Sequence, residues 1–275
     1  LTVDYEGTPI PIGTLHTMKM TSQTWRDASE VNIVNWQHWL SIAVPNNKSN
    51  NTALLVVSGG SNTASAPSDI SQLGILANSL GSVLVLLETV PCEPLTFSDE
   101  GYARSEDAII AYTYDKFLND PDPHSTWPLL LPMVKSAVQA MTETQEYLAG
   151  LATPVTVDDF IVNGASKRGW TTWLTACVDN RVRAIIPMVI DVLNMEEQMS
   201  HHKQAYQGYD PNSVTYHMHG GYSTAIDDYV DKNVFQRFGT PESDALLEIV
   251  DPYRYIERLD MPKLSVLADE DLIHQ

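Results

Sequence analysis

Two short runs, ALLVVSGG at residues 53–60 and SVLVLLETV at 82–90, limit the fold most strongly. Each is apolar without alternation and rich in branched side chains, which suits a strand buried on both faces, and such strands belong to parallel sheets covered by helices. Between them, SDISQLGILANSLG (68–81) spaces Ile70, Leu73, Leu76, Ala77 and Leu80 along one helical face, with Ser68 placed as an N-cap and Gly81 as a stop. Together the three segments predict a β-α-β unit. Helices are also predicted over 105–118, where Ser105 and acids open the run, and over 131–150, where Met133, Val134, Ala137, Val138, Met141 and Leu148 share a face. FIVNGAS (160–166), VRAIIPMVI (182–190) and KLSVLAD (263–269) read as strands, and RGWTTWLTACV (168–178) as a helix with Trp170 and Trp173 turned inward. The alternation predicts an α/β fold with a doubly wound, mostly parallel sheet, whose chemistry collects at the carboxyl ends of the strands.

The 275 residues, 43% hydrophobic and without repeat or linker, are read as a single domain over 1–275. Residues 191–262 break the rhythm: the segment is polar and aromatic and carries four of the eight histidines. It is expected to be an insertion, a cap over the strand ends, with YDPNSVTYHMHGGYS (209–223) as loop. Sixteen Lys and Arg against 35 Asp and Glu give a net charge of -19, a surface that repels phosphate backbones, so nucleic acid is not an expected partner. No apolar run approaches the roughly 18 to 20 residues that span a bilayer. Two sequons, Asn47-Lys48-Ser49 and Asn50-Asn51-Thr52, fall in the polar stretch VPNNKSNNTA and lean towards a secreted, glycosylated product, and a start at Leu1 suits a processed or trimmed one. Spacing leaves open whether Cys92 and Cys177 are bridged or free.

The stretch DDFIVNGASKRGWTTWL (158–174) sets Ser166 between a predicted strand and a predicted helix, with Gly164 two residues before it and Gly169 three after. A sharp strand-to-helix turn lifts a serine Oγ above the sheet, and small neighbours let strand and helix approach. The hydroxyl still needs a base, an acid to orient that base, and donors for an oxyanion. The amide of Lys167, at the helix start, is one candidate donor. The second is sought in SGGSN (58–62), at Gly60 or Ser61, although that stretch reads equally well as a plain turn. For the acid, Asp271 just past the last predicted strand comes first, with Asp269 and Asp191 behind it. After Asp271 only His274 follows, too close to fold back over the serine. The base is therefore either absent from the chain or one of His201, His202, His217 and His219 acting out of order. Arg168 beside the turn reads first as the partner of a buried carboxylate such as Glu88 or Glu106.

GASKRGWTTWLTACVDNRV, together with MTSQTWRDASEVNIVNWQHWLSIAVP, RSEDAIIAYTYDKFL, WPLLLPMVKSAVQAM and LLEIVDPYRYIERLDMPKL, resembles the PhoPQ-activated pathogenicity-related family from about Met18 to Asp271. The resemblance implies an α/β-hydrolase fold with Ser166 as nucleophile and Asp271 as acid. It also implies a histidine beyond Gln275, so that the hydrolase-like domain is incomplete at its C-terminal end, and it makes residues 206–220 an insertion.

Two functions are carried forward. The first is a secreted serine hydrolase, an esterase or peptidase acting on a small-molecule ester or peptide, with no metal and no organic cofactor. The second is a non-catalytic extracellular signalling or binding protein on the same scaffold, engaging a cell-surface receptor, in keeping with growth control among the roles of the family that the chain resembles.

Overall fold

The computed structural model describes residues 2–10, 12–67, 70–207 and 221–267. In chain order they form β1 (Thr2–Ile10), β2 (Gly13–Thr24), β3 (Asn35–Pro45), β4 (Thr52–Val57), α1 (Ser71–Leu80), β5 (Leu84–Leu87), the short strands β6 (Leu95–Thr96) and β7 (Ala103–Arg104), α2 (Asp107–Asn119), α3 (Pro121–His124), α4 (Leu130–Ala149), β8 (Asp159–Ala165), α5 (Lys167–Val178), β9 (Val182–Met188), α6 (Met195–Gln207), α7 (Asp227–Asp231) and α8 (Pro241–Val250). Seven strands make one mixed sheet in the order β1-β2-β3-β5-β4-β8-β9.

The parallel half of the sheet is the part that the apolar runs predicted. β4 pairs in parallel with β5, Leu54 opposite Leu84, and with β8, Val57 opposite Gly164. β9 continues the sheet beside β8, and the segment of the expected strand 263–269 touches β9 through bridges at Lys263 and Val266. The other half was not foreseen. β1, β2 and β3 run antiparallel, and β3 pairs antiparallel with β5. After β4 the chain crosses first to β5 on one side and later to β8 on the other, so the order reverses at β4 and β8, the place where such sheets leave a crevice at their carboxyl ends.

One face of the sheet carries most of the core. Alternate residues Ala53, Leu55 and Val57 of β4 and Phe160 and Val162 of β8 are buried there against Met133, Ala137 and Met141 of α4 and Trp170 and Trp173 of α5. Each large side chain withdrawn from water in this way contributes about 1.5–3 kcal/mol. On the opposite face a smaller cluster of Leu15, Ala43, Ala77 and Leu84 seats α1. That helix begins at Ser71 after Ile70, which makes no side-chain cap, and ends on Gly81 in the left-handed conformation as expected; Ser68 lies outside the described residues.

Beneath β2 and β3 lies a polar cluster. His38 is 1% exposed, with Nε2 at 2.9 Å from the Ser22 hydroxyl and 3.1 Å from the Ser136 hydroxyl, and Nδ1 at 3.0 Å from the Thr89 carbonyl. Gln23 donates to the Pro132 carbonyl at 2.7 Å alongside it. The acceptor beside Nδ1 fixes that nitrogen as the protonated one, so Nε2 accepts from a hydroxyl and the ring is neutral. Burial holds the imidazole down at about 4.

In the segment 191–262 the described residues are largely helical: α6, α7, α8 and short 3-10 turns at 224–226, 235–237 and 252–258. Residues 208–220, with His217 and His219, lie outside the described residues, as do Asp269, Asp271 and His274. Cys92 and Cys177 are buried free thiols. Asn47 and Asn50 are exposed, where they hydrogen-bond the end of α1 and the residues just after it: Asn47 Nδ2 donates to the Asn78 carbonyl at 2.9 Å and Asn50 Nδ2 to the Ser82 hydroxyl at 2.8 Å. Among the described residues, no helix is long and apolar enough to cross a membrane.

Candidate active site

Ser166 occupies the single residue between β8 and α5, with φ 54 and ψ -129, a backbone conformation that costs a non-glycine residue about 1–3 kcal/mol. The surroundings hold it there. Its N–H donates to the Met188 carbonyl at the end of β9 (2.9 Å), and its carbonyl accepts from Trp170 N–H at 3.1 Å. Both flanking glycines are required by contact. A Cβ on Gly164 would fall 2.4 Å from the Arg168 carbonyl oxygen, and one on Gly169 would fall 2.6 Å from Ile190 Cγ2 and 3.0 Å from the Gly164 oxygen. The second glycine therefore belongs three residues after the serine because that is where the first turn of α5 crosses β8.

The two residues after Ser166 are pinned by carboxylates. Lys167 is buried, and its Nζ lies 2.5 Å from Glu106 Oε2 and 2.9 Å from Asp107 Oδ2. Arg168 gives both terminal nitrogens to Glu106, at 2.9 and 2.8 Å, and its Nε to the Val90 carbonyl at 2.6 Å. Glu93 stands behind, 3.5 Å from Arg168, and accepts the Glu106 N–H. The partners of Arg168 are thus Glu106 and Glu93 and not Glu88, whose carboxyl is pushed up by burial alone. Burial and a hydrogen bond with Glu106 push the Glu93 carboxyl up, whereas Glu106, although burial opposes it, is held down by Arg168, Glu93 and Lys167. Glu106 itself has φ 55 and ψ -134, nearly the backbone of Ser166, and stands at the start of α2 as Ser166 stands at the start of α5. Replacing Arg168 with Gln is expected to cost about 2 kcal/mol in urea titration. Breaking a buried pair costs roughly 3–5 kcal/mol, and the half-exposed Glu106 recovers part of that from water. Arg168→Lys should recover little, because an ammonium cannot fork across a carboxylate.

Ser166 is partly exposed and opens on a cavity of about 480 Å3. The cavity gathers Ser166, Lys167, Asp191, His201 and His202 from the sequence-derived candidates, and adds Asp107 and Tyr229. Gly60 and Ser61 are not in its lining; their loop runs along residues 89–93 and reaches the elbow at Gly59, where a Cβ would meet Arg168 at 2.7 Å. His202 is buried, and its Nε2 accepts the Ser223 N–H at 3.1 Å, so its lone pair is not free for Ser166. Burial, and then the charge of His201, lowers its imidazole. Asp107 is clamped by Lys167 and by the Tyr229 hydroxyl, which donates to it at 2.8 Å. One wall comes from α6, whose first amides are held by Asp251: its carboxylate accepts from Asn194 N–H (3.1 Å) and Met195 N–H (2.9 Å), and also from Tyr253 N–H (2.9 Å). Sequence reading did not single out Asp107, Tyr229, Asp251 or Glu93.

A mixed sheet with flanking helices and a serine at a strained strand-to-helix turn is the α/β-hydrolase architecture. Its fold is shared, at 12% identity, by acetyl xylan esterase 1 of Thermoanaerobacterium sp., with a TM-score of 0.57 over 100% of this chain and 75% of that one, and by the acylaminoacyl peptidase of Pyrococcus horikoshii, with a TM-score of 0.51 over 94% and 33%. The chain belongs to the PhoPQ-activated pathogenicity-related protein family, which it matches over residues 5–274. It is 36% identical over 273 residues to autocrine proliferation repressor protein A of Dictyostelium discoideum; the match covers 98% of this chain and 51% of that protein, so the chain spans about half the length of this relative.

Proposed function

We propose that this chain is a secreted serine hydrolase of the esterase or peptidase type with Ser166 as its nucleophile. The reading is carried by one observation: a partly exposed serine in a left-handed backbone between strand and helix, at the mouth of a cavity. Ser166 Oγ attacks a substrate carbonyl, and its proton passes to a histidine oriented by Asp271. The Lys167 N–H at the start of α5 receives the developing negative charge, and the 58–62 loop, packed on Arg168 at Gly59, supplies the second donor from Gly60 or Ser61. The Lys167 side chain is not the base, because two carboxylates hold its ammonium.

A fluorophosphonate probe added to full-length protein in conditioned medium is expected to form one adduct, on Ser166, and none in Ser166→Ala. Treatment with N-glycosidase should lower the mass if Asn47 and Asn50 carry glycans. A folded protein that takes up no probe sinks the catalytic reading, and an adduct confined to the cell lysate sinks secretion.

A second reading is favoured by the relative named as an autocrine proliferation repressor: a secreted ligand acting through a cell-surface receptor, with the hydrolase scaffold as its frame. Ser166→Ala separates the two. A ligand keeps its effect on cell growth without the hydroxyl, and a hydrolase loses its effect on substrate.

A further inference from the structure

The cavity beside Ser166 differs from a general polar cleft in its walls and in its charges. Trp170 from the elbow helix, Met195 and Met199 from α6, and Ile226, Tyr229 and Phe235 from the following segment make most of its surface apolar. The cation at its edge is spent: Lys167 Nζ is shared between Glu106 and Asp107, and Asp107 is further occupied by the Tyr229 hydroxyl. Asp191 also faces the cavity, and the chain as a whole carries a net charge of -19. An anionic group entering here would meet carboxylates, and with Lys167 engaged only the exposed His201 imidazole is left, among the described lining residues, to offset its lost hydration. A cationic group finds Asp107 already clamped, while Asp191 stands open to water, its carboxyl pushed up by partial burial against the Leu193 N–H and the charge of His201. The volume of about 480 Å3 lies within the roughly 300–1,000 Å3 of small-molecule sites. An acetyl group, with about the bulk of two waters at roughly 30 Å3 each, would leave most of it empty.

We infer that this cavity seats an uncharged, apolar acyl or alkyl group several carbons longer than acetyl, between Trp170 and the two methionines of α6. The substrate class is thus a neutral ester or amide with a medium-length hydrocarbon arm, an assignment that as a statement about catalysis rests on the hydrolase reading above. Methionine walls suit such an arm, since unbranched thioethers adjust to chains of differing length. Selectivity comes from the 191–262 segment, and the scaffold supplies the reacting serine.

The test separates the cavity from the chemistry. The full-length Ser166→Ala protein, which cannot turn over an ester through that hydroxyl, is titrated calorimetrically with n-alkanols from butanol to octanol. Affinity is expected to rise about fourfold per methylene, as burial of one CH2 predicts. 8-Hydroxyoctanoate, with a charged far end, is expected to bind at least about tenfold more weakly than octanol. Met199→Ala should lower octanol affinity about tenfold by removing wall surface, and Met199→Leu, of similar volume, should restore most of it. On the wild-type serine, a decyl fluorophosphonate should label faster than an ethyl one. Flat affinity along the alkanol series overturns the inference, as does equal binding of the charged and neutral octyl chains. If alkanols bind with the expected slope and no fluorophosphonate reacts, the apolar site stands and the hydrolase reading fails; if the probe reacts at a rate indifferent to chain length and alkanol affinity is flat, the reverse holds.

Discussion

Gly164→Ala is expected to destabilise the protein by about 3 kcal/mol or more and to slow fluorophosphonate labelling of Ser166 with it. Gly164 is a buried residue of β8, hydrogen-bonded in the sheet between β4 and β9. The atoms that a new methyl group would meet, the Arg168 oxygen at 2.4 Å and carbon at 2.6 Å, are backbone of the first turn of α5. No rotamer change relieves that contact, so the helix or the strand must shift. A shift of α5 moves the Lys167 amide and pulls Arg168 away from Glu106, so stability and reactivity fall together. For a chain of this size 3 kcal/mol is a fall of about 6–12 °C in Tm. Gly150→Ala is the matched control: it stands at φ -82, and its Cβ would meet only ordinary contacts at 3.5 Å. It should melt with the wild type or slightly above it. Co-melting of Gly164→Ala with the wild type would show that strand and helix do not approach as closely as described.

The second large effect is on stability against pH, through His38. Its folded value of about 4 lies below the ordinary imidazole value of 6.5, because burial disfavours the cation and outweighs the Glu88 and Thr89 carbonyls. A histidine depressed in the folded state gives stability that is complete above its unfolded value and is lost as pH falls, since the unfolded chain takes up the proton first. The window runs from pH 6.5 down to about 4, and the loss across it is about 3 kcal/mol. Urea titrations at pH 7 and pH 4.5 on wild type and on His38→Gln isolate it: the variant starts less stable, but its stability should fall less over that interval. Parallel curves for the two proteins would mean that the imidazole does not carry this dependence. Protonation would leave Nε2 as a donor facing the hydroxyls of Ser22 and Ser136, and the Ser136 hydroxyl already donates to the Pro132 carbonyl at 2.9 Å.

The parallel half of the sheet was legible because its strands are apolar on both faces, and the elbow because two glycines and a serine mark a crossing of strand and helix. The antiparallel half was hidden by its composition. β2 and β3 place His16, Thr17, Ser22, Gln23, His38 and Ser41 in buried positions, so polar residues interrupt their apolar stretches, and what permits the burial is hydrogen bonds to partners as far as 131 residues away. Helix starts moved for a similar reason. Ser105 was expected to begin α2, but the chain turns at Glu106, whose N–H is taken by Glu93 and whose carboxylate is held by α5. α8 did carry a local sign, Thr240 and Pro241 followed by Ser243, and these form a reciprocal cap at its start. The residues of the candidate site that escaped, Asp107, Tyr229 and Asp251, are acids and a phenol among many. They acquire a place in the site only through partners 60, 122 and 56 residues distant, which no spacing rule reaches.

Asp251 stands at the C-terminal end of α8, yet its carboxylate fixes where α6 begins and where the next turn starts. The methionine wall is therefore hung from a point well outside the sheet, like a door whose frame belongs to a different room. On the hydrolase reading proposed above, mutations along α8 would retune which arms are admitted while the Ser166 hydroxyl and the Lys167 amide stay untouched.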